Sequence, residues 1–90
     1  MSIEIYGKND CPYCELAKLA CENYGIGYQY KLVDTPEAVE WLHENVNAQI
    51  KTVPAVIYDG VWIGGLDELK AKINESYTIE NGAIKNVLNG

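Results

Sequence analysis

The sequence predicts an α/β sandwich of β-α-β-α-β-β-α order built on a four-stranded mixed sheet. Three observations carry that reading: a period-2 apolar run at Ile3-Glu4-Ile5-Tyr6, a helix-period run from Tyr13 to Tyr24, and Asp59-Gly60 between two strand-forming segments. A strand, a helix and a second strand in succession imply a parallel pair joined by a right-handed crossover, and a late hairpin then completes the sheet with antiparallel strands.

Taken in order, the first strand stops at Gly7 and the cysteine pair follows. From Tyr13 the apolar positions fall at 13, 16, 17, 20, 21 and 24, one face of a helix, with Glu15, Lys18 and Glu22 opposite. Asp10 and Pro12 mark its start as capping and first-turn residues, and Gly25 marks its end. Tyr28 to Val33 is rich in strand formers and gives way at Asp34-Thr35-Pro36-Glu37, where a capping residue before proline opens a second helix carrying Val39, Leu42 and Val46. Val53–Tyr58 and Val61–Ile63 flank Asp59-Gly60, the strongest short hairpin signal. Pro54 cannot donate to a ladder, which puts it at an edge, a strand entry or a turn. Gly64-Gly65 breaks the chain before Leu66, Leu69 and Ile73, spaced for a third helix.

The working division is one domain over residues 1–75 and an extension over 76–90 packed on it. Within the extension, Asn81-Gly82 lies between Tyr77-Thr78-Ile79-Glu80 and Ala83-Ile84-Lys85, the pattern of another hairpin, while Ala83 to Leu88 would also accept a helical turn. Both remain open at this point.

A chain of 90 residues with 48% hydrophobic and 22% charged residues is of ordinary globular composition, which excludes disordered and collagen-like classes. No apolar run approaches the roughly 18 residues of a membrane span, and Met1-Ser2-Ile3-Glu4 lacks the basic start and apolar stretch of a signal peptide. A cytoplasmic protein without a membrane partner is expected. The net charge of -6 argues against nucleic acid, whose binding draws on clustered Lys and Arg.

Three cysteines, without an export signal, fit catalysis or metal better than a stapling framework. Cys11-Pro12-Tyr13-Cys14 sets two thiols three residues apart at a strand-to-helix junction, where a helical turn separates the α carbons by about 5 Å, within the range of a reversible disulfide. Cys11 meets the positive end of the helix dipole, with Lys8 three residues earlier, and is the expected attacking thiolate. Cys14, one turn inward, is suited to resolving a mixed disulfide. The simpler alternative is a pair of inert core thiols. A zinc site on Cys11, Cys14, Cys21 and His43 is opposed by geometry, because Cys14 and Cys21 lie about 10.5 Å apart along a helix while Zn–S bonds are about 2.3 Å. No metal is expected; Cys21 fits as a small buried hydrophobe, and His43, alone on a polar helix, is expected at the surface.

With these residues in place, the chain resembles the glutaredoxin family over about residues 3–75. Lys8, Cys11-Pro12-Tyr13-Cys14, Thr52-Val53-Pro54 and Gly64-Gly65-Leu66-Asp67-Glu68 carry the likeness in order and at family-like separations. The resemblance implies a thioredoxin-like fold, a cis Val53-Pro54 peptide, and glutathione as co-substrate, with no tightly bound cofactor. It also implies a glutathione site formed by Lys8, Tyr13, Thr52, Val53, Pro54, Gly65, Leu66 and Asp67. Helix-opening N–H groups at Gly65, Leu66 and Asp67 suit the γ-glutamyl carboxylate, and Lys8 suits the glycine carboxylate. The Asp67 carboxylate would accept from the ligand ammonium or cap the helix.

Three positions depart from the family pattern. Leu66 stands where many relatives have a cysteine. Trp41 stands where many have a polar residue on a glutathione carboxylate, a contact Lys51 could replace. Residues beyond about 75 have no counterpart. The implied activity is glutathione-dependent reduction of protein disulfides and glutathione mixed disulfides by a monomer, with ribonucleotide reductase a candidate client. A redoxin recharged by thioredoxin reductase is the first alternative, against which Tyr13 and Gly64-Gly65-Leu66-Asp67 count; a glutathione-ligated iron–sulfur carrier is the second, of which Pro12 is less typical.

Overall fold

The computed structural model describes residues 2–80 and 83–86, with side chains described through residue 75. The chain runs β1 (Ile3–Gly7), α1 (Pro12–Asn23), β2 (Gln29–Leu32), α2 (Pro36–Asn45), β3 (Ala55–Tyr58), β4 (Val61–Gly64), α3 (Leu66–Ser76), β5 (Tyr77–Glu80) and β6 (Ala83–Asn86). The main sheet has the order β2-β1-β3-β4. Strand β2 lies parallel to β1 with Ile5 beside Tyr30, β3 lies antiparallel to β1 with Ile5 beside Val56, and β4 returns antiparallel to β3. This is the mixed sheet that the sequence predicts.

Alternation along the two central strands covers both faces of the sheet. Ile3, Ile5 and Val56 point into a core with Ala17 and Cys21 of α1 and Leu69 and Ile73 of α3. Tyr6, Ala55 and Ile57 point the other way, against Leu42 of α2 with Val33 and Ile50. Leu42 and Leu69 are fully buried on opposite faces, each contributing about 1.5–3 kcal/mol by removal from water. Helices α1 and α3 thus form one outer layer and α2 the other.

Local signals set the joints. Thr35 caps α2, its Oγ1 accepting from the Ala38 N–H at 3.1 Å, and Gly25 ends α1 with φ of 66°. Asp59 and Gly60 both have positive φ, the geometry of a tight hairpin turn whose twist matches its strands. The Val53-Pro54 peptide is cis, as the resemblance implies.

Strands β5 and β6 pair antiparallel as a separate two-stranded sheet, Ile79 beside Ile84. The second half of the Asn81-Gly82 pattern is therefore a strand over Ala83–Asn86 rather than a helical turn. Residues 81 and 82, where the hairpin reading puts its turn, lie outside the described residues, as do residue 1 and residues 87–90.

Candidate active site

Strand β1 ends at Gly7, and the turn through Asp10, with φ of 57°, delivers Cys11 to the head of α1. Cys11 itself is the N-cap: its Sγ accepts from the Cys14 N–H at 3.2 Å. The expected cap, Asp10, instead takes a left-handed turn conformation that aspartate tolerates. Pro12 follows at the first helical position, where its missing N–H costs nothing. A sulfur at this position faces an otherwise unpaired backbone donor and the positive end of the helix.

Cys11 and Cys14 are joined as a disulfide with α carbons 5.2 Å apart. Cys11 keeps 7% of its surface exposed and Cys14 none. Cys21 is free and buried; burial pushes its thiol up to about 11, with a smaller push from Glu22, so it stays protonated at neutral pH. Among the described residues no group of three or more His, Cys, Asp or Glu side chains could hold a metal ion.

Two hollows lie beside the Cys11–Cys14 turn and share Thr52 and Val53. One, of about 600 Å³, holds Cys11 with Lys8, Lys51 and His43 over walls from Val33, Val39, Leu42 and Ile50. The other, of about 280 Å³, is lined by Tyr13, Thr52, Val53, Pro54, Gly65, Leu66, Asp67 and Glu68. All eight residues named for a glutathione site border one of these hollows; Lys8 lies on one side of Val53, and Tyr13, Gly65, Leu66 and Asp67 lie on the other.

Three details differ from the sequence reading, and a fourth, at Trp41 and Lys51, agrees with it. The buried face of α1 is Cys14, Ala17 and Cys21, while Tyr13 and Leu16 are exposed, because Tyr13 is turned into the second hollow. His43 is half-buried, its Nε2 on the Ile50 carbonyl at 2.5 Å, tying α2 to the segment that leads to Thr52. Trp41 packs at 6.2 Å from the Tyr6 ring and borders neither hollow beside the dithiol; Lys51 does. The Gly65 N–H donates to Glu68 Oε1 at 2.7 Å, leaving the Leu66, Asp67 and Glu68 N–H groups as the first-turn donors without an intrahelical acceptor. Glu68 is therefore the capping carboxylate of α3, a role the sequence reading gave to Asp67 as its alternative. The signal was legible: glutamate at the third helical position reaches back to the residue before the helix.

A glutaredoxin family model matches residues 3–63. The chain is 35% identical over 71 residues to glutaredoxin 3 of Escherichia coli strain K12, covering 78% of this chain and 83% of that protein. Its fold matches the glutaredoxin-like NrdH-redoxin of Escherichia coli, described for a thioredoxin-like activity profile, with a TM-score of 0.67 and 32% identity over 89% of this chain and all of that one. It also matches the buckwheat glutaredoxin–glutathione complex, with a TM-score of 0.66 and 25% identity over 81% and 68% of the two chains. A helix-capping Cys-Pro-Tyr-Cys disulfide on this sheet, together with these likenesses, makes the chain a member of the glutaredoxin family of thiol–disulfide oxidoreductases.

Proposed function

We propose that this chain reduces protein disulfides and glutathione mixed disulfides with glutathione as its electron source. The observation that carries the reading is a pair of oppositely charged hollows that share Thr52 and Val53, one lined by Cys11 with Lys8 and Lys51, the other by Tyr13 with Asp67. Glutathione has a carboxylate at one end, a carboxylate and an ammonium at the other, and a thiol between them. Lysine on one side suits the glycine carboxylate. On the other side, the Leu66 and Asp67 N–H groups suit the γ-glutamyl carboxylate and the Asp67 side chain suits the ammonium. Thr52 and Val53, common to both hollows, and Tyr13 would hold the middle of the ligand. The buckwheat relative was determined with glutathione bound, which supports the same ligand class here.

The chemistry follows the two sulfurs. A Cys11 thiolate attacks one sulfur of a protein disulfide, or the glutathione sulfur of a mixed disulfide; that S–S bond breaks, the other sulfur leaves as a client thiolate, and the attacked sulfur stays bonded to Cys11. On a protein client, Cys14 then attacks Cys11 Sγ, releases the second client thiol and forms the Cys11–Cys14 disulfide. Two glutathione thiols return it to the dithiol and become glutathione disulfide. Cys11, the less buried sulfur, suits the first attack, and Cys14, fully buried behind it, suits the second.

A second reading has thioredoxin reductase as the electron source, favoured by the fold match to the NrdH-redoxin over that protein's full length. Ribonucleotide reductase is a client candidate under either reading. One experiment separates them: turnover on a disulfide substrate with glutathione plus glutathione reductase, or with thioredoxin reductase, as the only electron source. Turnover with the first supports the proposal; turnover only with the second overturns it.

A further inference from the structure

The Tyr30 hydroxyl and the Cys14 sulfur both border the point where a side chain on Gly7 would start. Parallel pairing sets Tyr30 beside Ile5, and its side chain runs along the sheet towards the end of β1. A methyl group built on Gly7 would overlap the Tyr30 hydroxyl and lie 2.9 Å from Cys14 Sγ. Only a residue without a side chain at position 7 lets the phenol and the inner sulfur flank the same point. The hydroxyl donates to the Lys8 carbonyl at 3.3 Å, and the Lys18 ammonium sits 4.3 Å from the ring centroid.

The disulfide cycle requires something of this place. Cys14 is fully buried, yet it must carry negative charge to attack Cys11, and a buried thiolate without a hydrogen bond is disfavoured. Cys11 is bonded to it; on α1 the charged atoms of Glu15 and Lys18 bond each other at 3.0 Å; Lys8, in the turn before α1, borders the larger hollow; and from β2 the Tyr30 hydroxyl meets the same point beside Gly7 as the Cys14 sulfur. Burial pushes the phenol up from its ordinary value, and Lys18 opposes that push. It therefore keeps its proton at neutral pH and remains a donor.

We propose that Tyr30 serves the resolving sulfur: when the disulfide opens, its hydroxyl turns from the Lys8 carbonyl to Cys14 Sγ and stabilises the thiolate that closes the cycle. The inference rests on the dithiol reading of Cys11 and Cys14. In the step concerned the Cys14 proton goes to solvent, the thiolate forms the bond to Cys11 Sγ, the mixed S–S bond breaks, and the client thiolate leaves with the electron pair. Tyr30 donates a hydrogen bond throughout and transfers no proton.

The test is Tyr30→Phe, which keeps the ring beneath Lys18 and removes only the hydroxyl. In a Cys11→Ser background, the pH profile for alkylation of Cys14, read at that residue by mass spectrometry, should move its midpoint up by about one unit or more on loss of a donor to a charged sulfur. With Cys11 present, release of a protein client from its mixed disulfide at pH 7 should slow about threefold, since a more basic thiolate is scarcer but more nucleophilic. An unmoved profile with an unchanged release rate overturns the inference, and so does lower thermal stability with the profile unmoved, which would make Tyr30 packing alone. Should Tyr30→Phe not fold, ring-carbon labelling of tyrosine in the unmodified chain gives the answer: the Tyr30 resonance must shift on reduction above the Cys14 midpoint, and a static one rejects the proposal. The dithiol reading fails differently, by Cys14→Ser reducing protein disulfides as well as the parent does.

Discussion

The two sides of Cys11 differ in charge, in size and in the parts of the fold that make them. The larger hollow is walled by aliphatic side chains around α2, and its ionisable residues are Lys8, His43 and Lys51. The smaller is built from the opening of α3, and its ionisable residues are Tyr13, Asp67 and Glu68. In a chain with 13 acidic and only 7 basic residues, two lysines beside the reactive sulfur give that side the sign opposite to the chain's net charge. The difference shows how a small fold makes an oriented site. One loop gives Thr52 and Val53 to both hollows, while Lys8 and Lys51 from the loops beside the cysteines and Asp67 and Glu68 from the start of α3 supply opposite charge.

The hardest test strikes the point where the sides meet. Cys11→Ser should abolish reduction of both protein disulfides and glutathione mixed disulfides, since an alcohol cannot form the mixed disulfide. Cys14→Ser should divide the two reactions: removal of glutathione continues because free glutathione completes it, while protein disulfides trap the enzyme as a covalent adduct visible by mass spectrometry. Equal loss of both reactions in Cys14→Ser would remove the distinction between outer and inner sulfur.

The next test separates the two sides. Lys8→Ala and Asp67→Ala should each raise the apparent KM for glutathione about tenfold, the effect of losing one charge-assisted contact. Alkylation of Cys11 in the Asp67→Ala variant should be unchanged. Because the two contacts serve opposite ends of the ligand without a common partner, their effects should add in the double variant. An analogue lacking the γ-glutamyl ammonium should discriminate further: Asp67→Ala should respond less to its absence than the parent, and Lys8→Ala as much. If both variants respond alike, the polarity of the two hollows is not what orients the ligand.

Much of this was legible in the order of residues. The parallel pair, the late hairpin and the disulfide geometry follow from periodicity and spacing, because short strands with both faces buried and a first-turn cysteine pair have few other solutions. What was not legible came from contacts between distant segments. The predicted stripe puts Ala17 and Cys21 in the core with Ala20 and Tyr24 packed against it, but Tyr13 and Leu16 at its start are exposed and Cys14 is buried instead. His43 looks solvent-bound on its own helix until the chain brings the Ile50 carbonyl onto its ring. The approach of Tyr30 to Cys14 depends on strand register at Gly7, which no local pattern encodes. Cys11 as its own cap was hidden by a nearby aspartate of the usual capping type.

The smallest expected effect concerns Glu68, and it asks whether the acidic side binds ligand or merely holds its own helix. Glu68 accepts the Gly65 N–H at 2.7 Å and lies against Gly64, where φ of 130° and the space filled by its own carboxylate exclude a side chain. Both features belong to the start of α3 rather than to the sulfur. Glu68→Ala should therefore act on stability, by about 1 kcal/mol for a lost cap, which in a domain of this size lowers Tm by roughly 4–8 °C. Glu68→Gln keeps an acceptor oxygen and should recover most of that loss, short of the small favourable effect of a negative charge at a helix head. The KM for glutathione should not rise in either variant, because removing the carboxylate frees the Gly65 N–H and takes one negative charge away from the place proposed for the γ-glutamyl carboxylate. A rise in KM matching that of Asp67→Ala, with Tm unchanged, would give Glu68 the ligand contact and reverse the assignment of the two carboxylates.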